Sequence, residues 1–154
     1  MIDELLAADI ITETDDDLVL TESFRDDWRD QIDRLQTHDR RGYLASFFEA
    51  DREALRIETN PDGSVTVRQD RDRLGEWPST TAIDADVAAF LTLQDRLPEW
   101  EALTGSQRDA LISRLRLFLE ACPACDATLR YEESAVTPDD IPRVRCAACD
   151  TTIV

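Results

Sequence analysis

Cys122 and Cys125 form one C-x-x-C pair and Cys146 and Cys149 a second, with twenty residues between them, and these four are all the cysteine in the 154-residue chain. Zinc needs about four ligands in a tetrahedron, and two short thiolate turns, or knuckles, supply two each. A two-residue gap lets both sulfurs of a pair face one ion while backbone N–H groups support them. The spacing predicts one structural zinc on a zinc ribbon. Iron is the alternative occupant of the same sulfur cage. A dithiol redox pair is the weaker chemistry, because it needs one C-x-x-C and usually a thioredoxin-like setting. Asp126 and Asp150 follow the two pairs where glycine is common, and Asp tolerates the left-handed turn better than most residues.

Other chemistry is hard to assemble. Four cysteines close the metal shell, whereas catalytic zinc keeps an open position. The sole histidine, His38, sits in an Arg/Asp-rich stretch and reads as a surface residue. Only four glycines occur, and none forms a phosphate-binding loop. No catalytic residue is assigned, and the expectation is a non-enzyme. Arg143 and Arg145 flank Val144 and should share a strand face, with Arg130 across from them; Arg114 and Arg116 lie on the preceding helix. The three ribbon arginines are the candidate contact for an anion or nucleic acid. The preferred reading is that they neutralise Glu132, Glu133 and neighbouring carboxylates.

The elements that must position the cysteines follow from periodicity. Leu111, Ile112, Leu115, Phe118, Leu119 and Cys122 form one stripe on a helix capped by Thr104 or Ser106, which runs into the first knuckle. Ala127–Glu132 and Arg143–Cys146 read as strands around a Ser134–Pro142 loop, and Thr151–Val154 as a short third strand. Upstream, Ile2–Ala8 makes a helical turn or two. Ile10–Thr14 and Leu18–Thr21 read as a hairpin around Asp15-Asp16-Asp17. Thr21 then caps a helix whose stripe is Phe24, Trp28, Ile32 and Leu35, and whose other face, nearly all Asp and Arg, reads as solvated.

That order of hairpin and helix resembles the second half of a winged helix. Only nine residues precede the first strand, however, where a winged helix needs about two more helices, so a structural hairpin–helix unit is preferred. Tyr43, Leu44, Phe47 and Phe48 have helical spacing. Leu55–Thr59 and Val65–Gln69 form a second hairpin around Asn60-Pro61-Asp62-Gly63. Leu74–Pro78 reads as a loop with Trp77 packed on the core. Ile83, Val87, Phe90, Leu91 and Leu97 form a helix with Asp84 as its N-cap, and Pro98 interrupts before a short turn at Trp100 and Leu103. The fold class is α+β in three soft units: 1–41, a hairpin–helix unit; 42–104, a hairpin with helices; and 105–154, a helix fused to the ribbon.

Composition bears on partners and setting. There are 34 acidic residues, 22 of them Asp, against 17 arginines and no lysine, for a net charge of −17. Dense carboxylates with no lysine suit a cytoplasm of molar salt, where the Debye length is about 3 Å and self-repulsion is screened. The charge is uneven: −8 over 1–41, −7 over 42–104 and −2 over 105–154. Phosphate binding rests on clustered cations, so the expected partner is another protein, with nucleic acid as the alternative. Charges interrupt every apolar run within about ten residues, which predicts no membrane span and no signal peptide. The expected location is therefore cytoplasmic, where paired C-x-x-C motifs read as metal or redox sites, not structural disulfides.

The run "RDALISRLRLFLEACPACDATL" followed by "VRCAACDTTIV", with "LTESFRDDWRDQI" near the N-terminus, resembles an uncharacterised family of haloarchaeal proteins ending in a four-cysteine zinc ribbon. The resemblance implies a halophile and a ribbon, and no activity. Together these features lead to the expectation of a non-enzymatic interaction or adaptor module. A transcriptional regulator using the ribbon arginines and a winged-helix-like N-terminus is the alternative, and a thiol redox or metal-handling protein the weaker one.

Overall fold

A computed structural model of the protein describes residues 2–15, 17–116, 122–125, 127, 129–131, 144–146 and 148–151. It opens with α1 (Ile2–Ala7), followed by an antiparallel hairpin of β1 (Ile11–Thr14) and β2 (Asp17–Leu20). Ile10, Ile11 and Leu20 turn inward, while Thr14, Asp15 and Asp17 near the turn are exposed. Thr21 ends the hairpin and starts α2 (Glu22–Thr37): its hydroxyl accepts from the Phe24 N–H at 3.2 Å and donates to the Asp9 carbonyl at 2.6 Å. This is the expected cap. The stripe of Phe24, Trp28, Ile32 and Leu35 is buried throughout, chiefly against α4 (Thr80–Arg96). Trp28 adds a hydrogen bond from its indole to the Ala85 carbonyl at 2.9 Å, which satisfies the one polar atom the ring takes into the core.

Helix α4 is the central element. Ten of its residues, Ala82 to Ala89 with Thr92 and Leu93, are buried, so it is covered on all sides. Alanine at 82, 85, 88 and 89 keeps it thin enough for its neighbours to pack closely. Its N-cap is Ser79, which accepts from the Ala82 N–H at 3.1 Å, and not Asp84 as the sequence suggested. Asp84 lies a full turn inside the helix, 2 % exposed, where Arg40 grips it through bonds of 2.7 and 2.9 Å. An acidic residue near a helix start mimicked a cap; its partner was distant in sequence.

Helix α3 (Arg40–Phe48) supplies Arg40 and carries Phe47 and Phe48 onto an edge-to-face array with Phe90, Trp77 and Trp100. After a 3-10 turn at Arg52–Ala54, β3 (Leu55–Thr59) and β4 (Val65–Gln69) pair around the expected Asn60–Gly63 turn, where Gly63 takes φ 88°. The sheet is larger than the sequence indicated. Leu74–Trp77 is not a loop but most of a third strand, β5 (Asp72–Trp77), antiparallel to β4 with a bulge beside Arg68. The bulge breaks the strict alternation that would have revealed the strand. Gly75 is required there, because a Cβ would lie 2.7 Å from the Trp77 ring.

A 3-10 turn at Trp100–Ala102 leads to α5 (Gly105–Leu115). Thr104 caps α5 with a full capping box: its hydroxyl accepts from the Gln107 N–H, and its own N–H donates to the Gln107 side chain. Arg108 lies 4.8 Å over the Trp100 ring and donates to the Trp100 carbonyl, tying the turn to the helix. Leu111, Ile112 and Leu115 face inward as expected. Residues 117–121, through which the helix was to continue into Cys122, lie outside the described residues, as do 132–143 with the Ser134–Pro142 loop and Arg143. Strands β6 (Arg130–Tyr131) and β7 (Val144–Arg145) pair antiparallel. Ala127, Leu129 and Cys146, which the expected strands took in, lie outside them; of the expected third strand only Thr151 is described, outside any strand, and 152–154 lie outside the described residues. The class is α+β, with one continuous core that includes Cys122, Leu129 and Cys146.

Candidate metal centre

Both cysteine pairs sit on turns of the same construction. The Cys122 N–H donates to the Ala127 carbonyl at 2.8 Å, and the Cys146 N–H to the Thr151 carbonyl at 2.8 Å. In the second turn the Asp150 N–H also reaches the Cys146 carbonyl, and Asp150 takes the left-handed conformation at φ 65°. Asp thus stands where glycine is common, with its backbone in the geometry the turn demands. Asp126, its counterpart, lies outside the described residues. The first cysteine of each pair is buried and the second exposed, so two sulfurs anchor the site to the core and two face outward.

The short β6–β7 ladder brings the two turns together. Cys122 and Cys149 approach to 3.6 Å between sulfurs and Cys125 and Cys146 to 3.5 Å, and all four sulfurs lie within 4.8 Å of one another. A tetrahedral zinc with bonds of about 2.3 Å places its sulfurs at mutual distances of just this order. The four cysteines therefore fit a metal ion. Their surroundings differ: burial pushes the Cys122 thiol up to about 12, while the Thr151 hydroxyl and amide hold Cys149 down to about 6. Exposed Cys149 contacts the Thr151 hydroxyl at 3.1 Å.

Sequence reasoning missed what the first turn rests on. The face of α2 read as solvated carries Arg29, whose Nη1 donates to the Cys122 carbonyl at 3.3 Å, and Gln36, whose Nε2 donates to the Pro123 carbonyl at 3.0 Å. The two are seven apart, hence on one helical face. That spacing was visible; the carbonyls they meet, about ninety residues away, were not. Asp84 of α4 is gripped by Arg40 of α3, so the helix against which α2 packs is itself tied to α3. Burial raises the Asp84 pKa, opposed by Arg40 and then by Gln36.

The other candidate residues fall elsewhere. Arg130 and Arg145 are register partners across β6 and β7. Arg114 is exposed, and Arg116 pairs with buried Asp86 at 2.9 Å. That pair lies in a cleft of about 230 Å³ walled by Phe47, Phe48 and Trp77, and the Trp77 indole donates to Asp86 at 2.8 Å. His38 is exposed at the end of α2, its ring beside the Thr37 hydroxyl and Arg34 carbonyl. No helix among the described residues is long and apolar enough to cross a membrane.

Comparison with known proteins places the domain that carries α2. Residues 1–117 match the model of the central domain of a family of unknown function, DUF8054. The chain belongs to that family. The match takes in α1 through α5 and ends before the first cysteine, so the candidate metal centre follows the DUF8054 central domain in sequence while sharing its core. No curated protein and no solved structure shows significant similarity to the chain.

Proposed function

We propose that this DUF8054 protein is a non-enzymatic interaction module whose C-terminal zinc ribbon is held by one structural zinc at Cys122, Cys125, Cys146 and Cys149, with another protein as its partner. The observation that carries it is the convergence of four sulfurs, within 4.8 Å of one another, on two turns of matching construction. Zinc bound there cross-links two turns that lie twenty residues apart in the chain. Four thiolates leave no open coordination position, and the lone histidine is exposed at a helix end; both favour a scaffold over a catalyst. The acidic, lysine-free composition favours a salt-rich cytoplasm of haloarchaeal type.

The test is metal analysis of the full-length protein purified in molar KCl. About one zinc per molecule is expected from a four-thiolate site, lost on Cys122→Ser with Cys146→Ser. Absence of metal, iron in its place, or retention by the double variant overturns the zinc assignment. A nucleic-acid regulator is the second reading, favoured by the β6–β7 register that sets Arg130 opposite Arg145. It requires DNA or RNA binding that falls when Arg143 and Arg145 both become Ala. Absence of such binding leaves the protein-partner reading in place.

A further inference from the structure

We infer that Arg29 and Gln36 of α2 are positioning residues for the metal centre, so that zinc occupancy and seating of the first cysteine turn on the DUF8054 domain are thermodynamically linked. The inference rests on the reading of the four cysteines as a zinc site. Its own basis is separate: two side chains on one face of α2 donate to the two consecutive carbonyls that open the C-x-x-C turn, Cys122 at 3.3 Å and Pro123 at 3.0 Å. Cys122 and Pro123 are buried beneath them.

Charge and connectivity both favour the linkage. A zinc with four thiolates carries two net negative charges, and Arg29 brings a cation to the backbone of the turn that supplies half of them. Groups around a metal site orient its ligands and alter affinity. Helix α2 packs on α4, where Arg40 of α3 grips Asp84 at 2.7 and 2.9 Å, so the two donors stand on a helix with a firm seat. A turn shaped by zinc presents both carbonyls in register. Without the ion, the two turns lose their shared cross-link and the carbonyls lose their fixed spacing. Linkage is reciprocal: contacts that favour the seated turn must raise zinc affinity, and zinc must favour the contacts.

The experiment uses the full-length protein with zinc, a chromophoric chelator in competition, and thermal melts of zinc-loaded and zinc-stripped protein at fixed molar KCl. Arg29→Ala combined with Gln36→Ala should weaken zinc retention by about tenfold, the size of two ordinary hydrogen bonds. The melting temperature should drop in the loaded protein and change much less in the stripped one. Arg29→Lys, which keeps a charged donor, should recover part of the loss. Arg34→Ala, on the same helix but donating to neither carbonyl, should leave retention unchanged. Equal zinc affinity in wild type and double variant, or equal loss of melting temperature with and without zinc, overturns the linkage while the metal site stands. A wild-type protein that takes up no zinc overturns both.

Discussion

Asp86 shows how far a residue's setting can depart from its type. Burial pushes its carboxyl up to about 6, against the pull of Arg116 and then the Trp77 hydrogen bond, with Asp109 adding to the rise. The ordinary value is 3.8. Between these two values the folded protein holds a proton that the unfolded one has released. The group's contribution to stability is therefore full below its unfolded value and is lost as pH rises through about 6. Asp86→Asn cannot ionise and keeps an oxygen for Trp77. Unfolding in urea from pH 4 to 7 should show the wild type losing ground to the variant by on the order of 1–3 kcal/mol, allowing for the partial offset by Arg116. A gap that is constant, or that grows in favour of the wild type, contradicts the assignment. Nothing in the sequence marked Asp86 among 34 acidic residues, because its burial and both partners arise from tertiary contacts. The cysteines were legible for the opposite reason: their chemistry is written in a spacing of two residues, and separation along the sequence hardly matters once a metal brings two such pairs together.

At the scale of elements, local chemistry was legible wherever one rule acted alone. Thr21 and Thr104 cap the helices they were expected to cap, the Phe24–Leu35 stripe is buried, and Asn60–Gly63 turns the hairpin. The misses have a common cause in competing rules. Strand β5 hides behind a bulge and a Gly-Glu-Trp-Pro sequence that resembles a loop, although its Gly75 is there to admit the Trp77 ring. Gly75→Ala puts a methyl 2.7 Å from that ring and should displace Trp77 from Asp86 and Phe48. The expected cost is about 1–3 kcal/mol, the usual range for overpacking. Trp77 fluorescence and urea unfolding would show it. A variant of wild-type stability and unchanged emission would mean that β5 can open at the bulge without loss. The outer face of α2 is solvated as expected at Arg25, Asp26, Asp30 and Arg34, but exposure did not tell the whole of its role. Charged residues on a helix read as solvated, and Arg29 and Gln36 prove to be hydrogen-bonded to the cysteine turn.

For the whole molecule, the DUF8054 central domain and the cysteine turns are successive in sequence and continuous in packing. Cys122, Leu129 and Cys146 belong to the core cluster built around α2 and α4. A metal at the turns would thus tie the two cysteine turns to each other and to the helical domain whose core they share. Cobalt(II) in place of zinc tests this most directly, because one absorption spectrum reports ligand type, geometry and stoichiometry. The full-length protein should give intense visible bands and thiolate charge-transfer absorption of a tetrahedral four-sulfur site, saturating at about one equivalent, and zinc should displace it. Weak octahedral bands, or a spectrum unchanged by Cys122→Ser with Cys146→Ser, would contradict a metal held by these four cysteines.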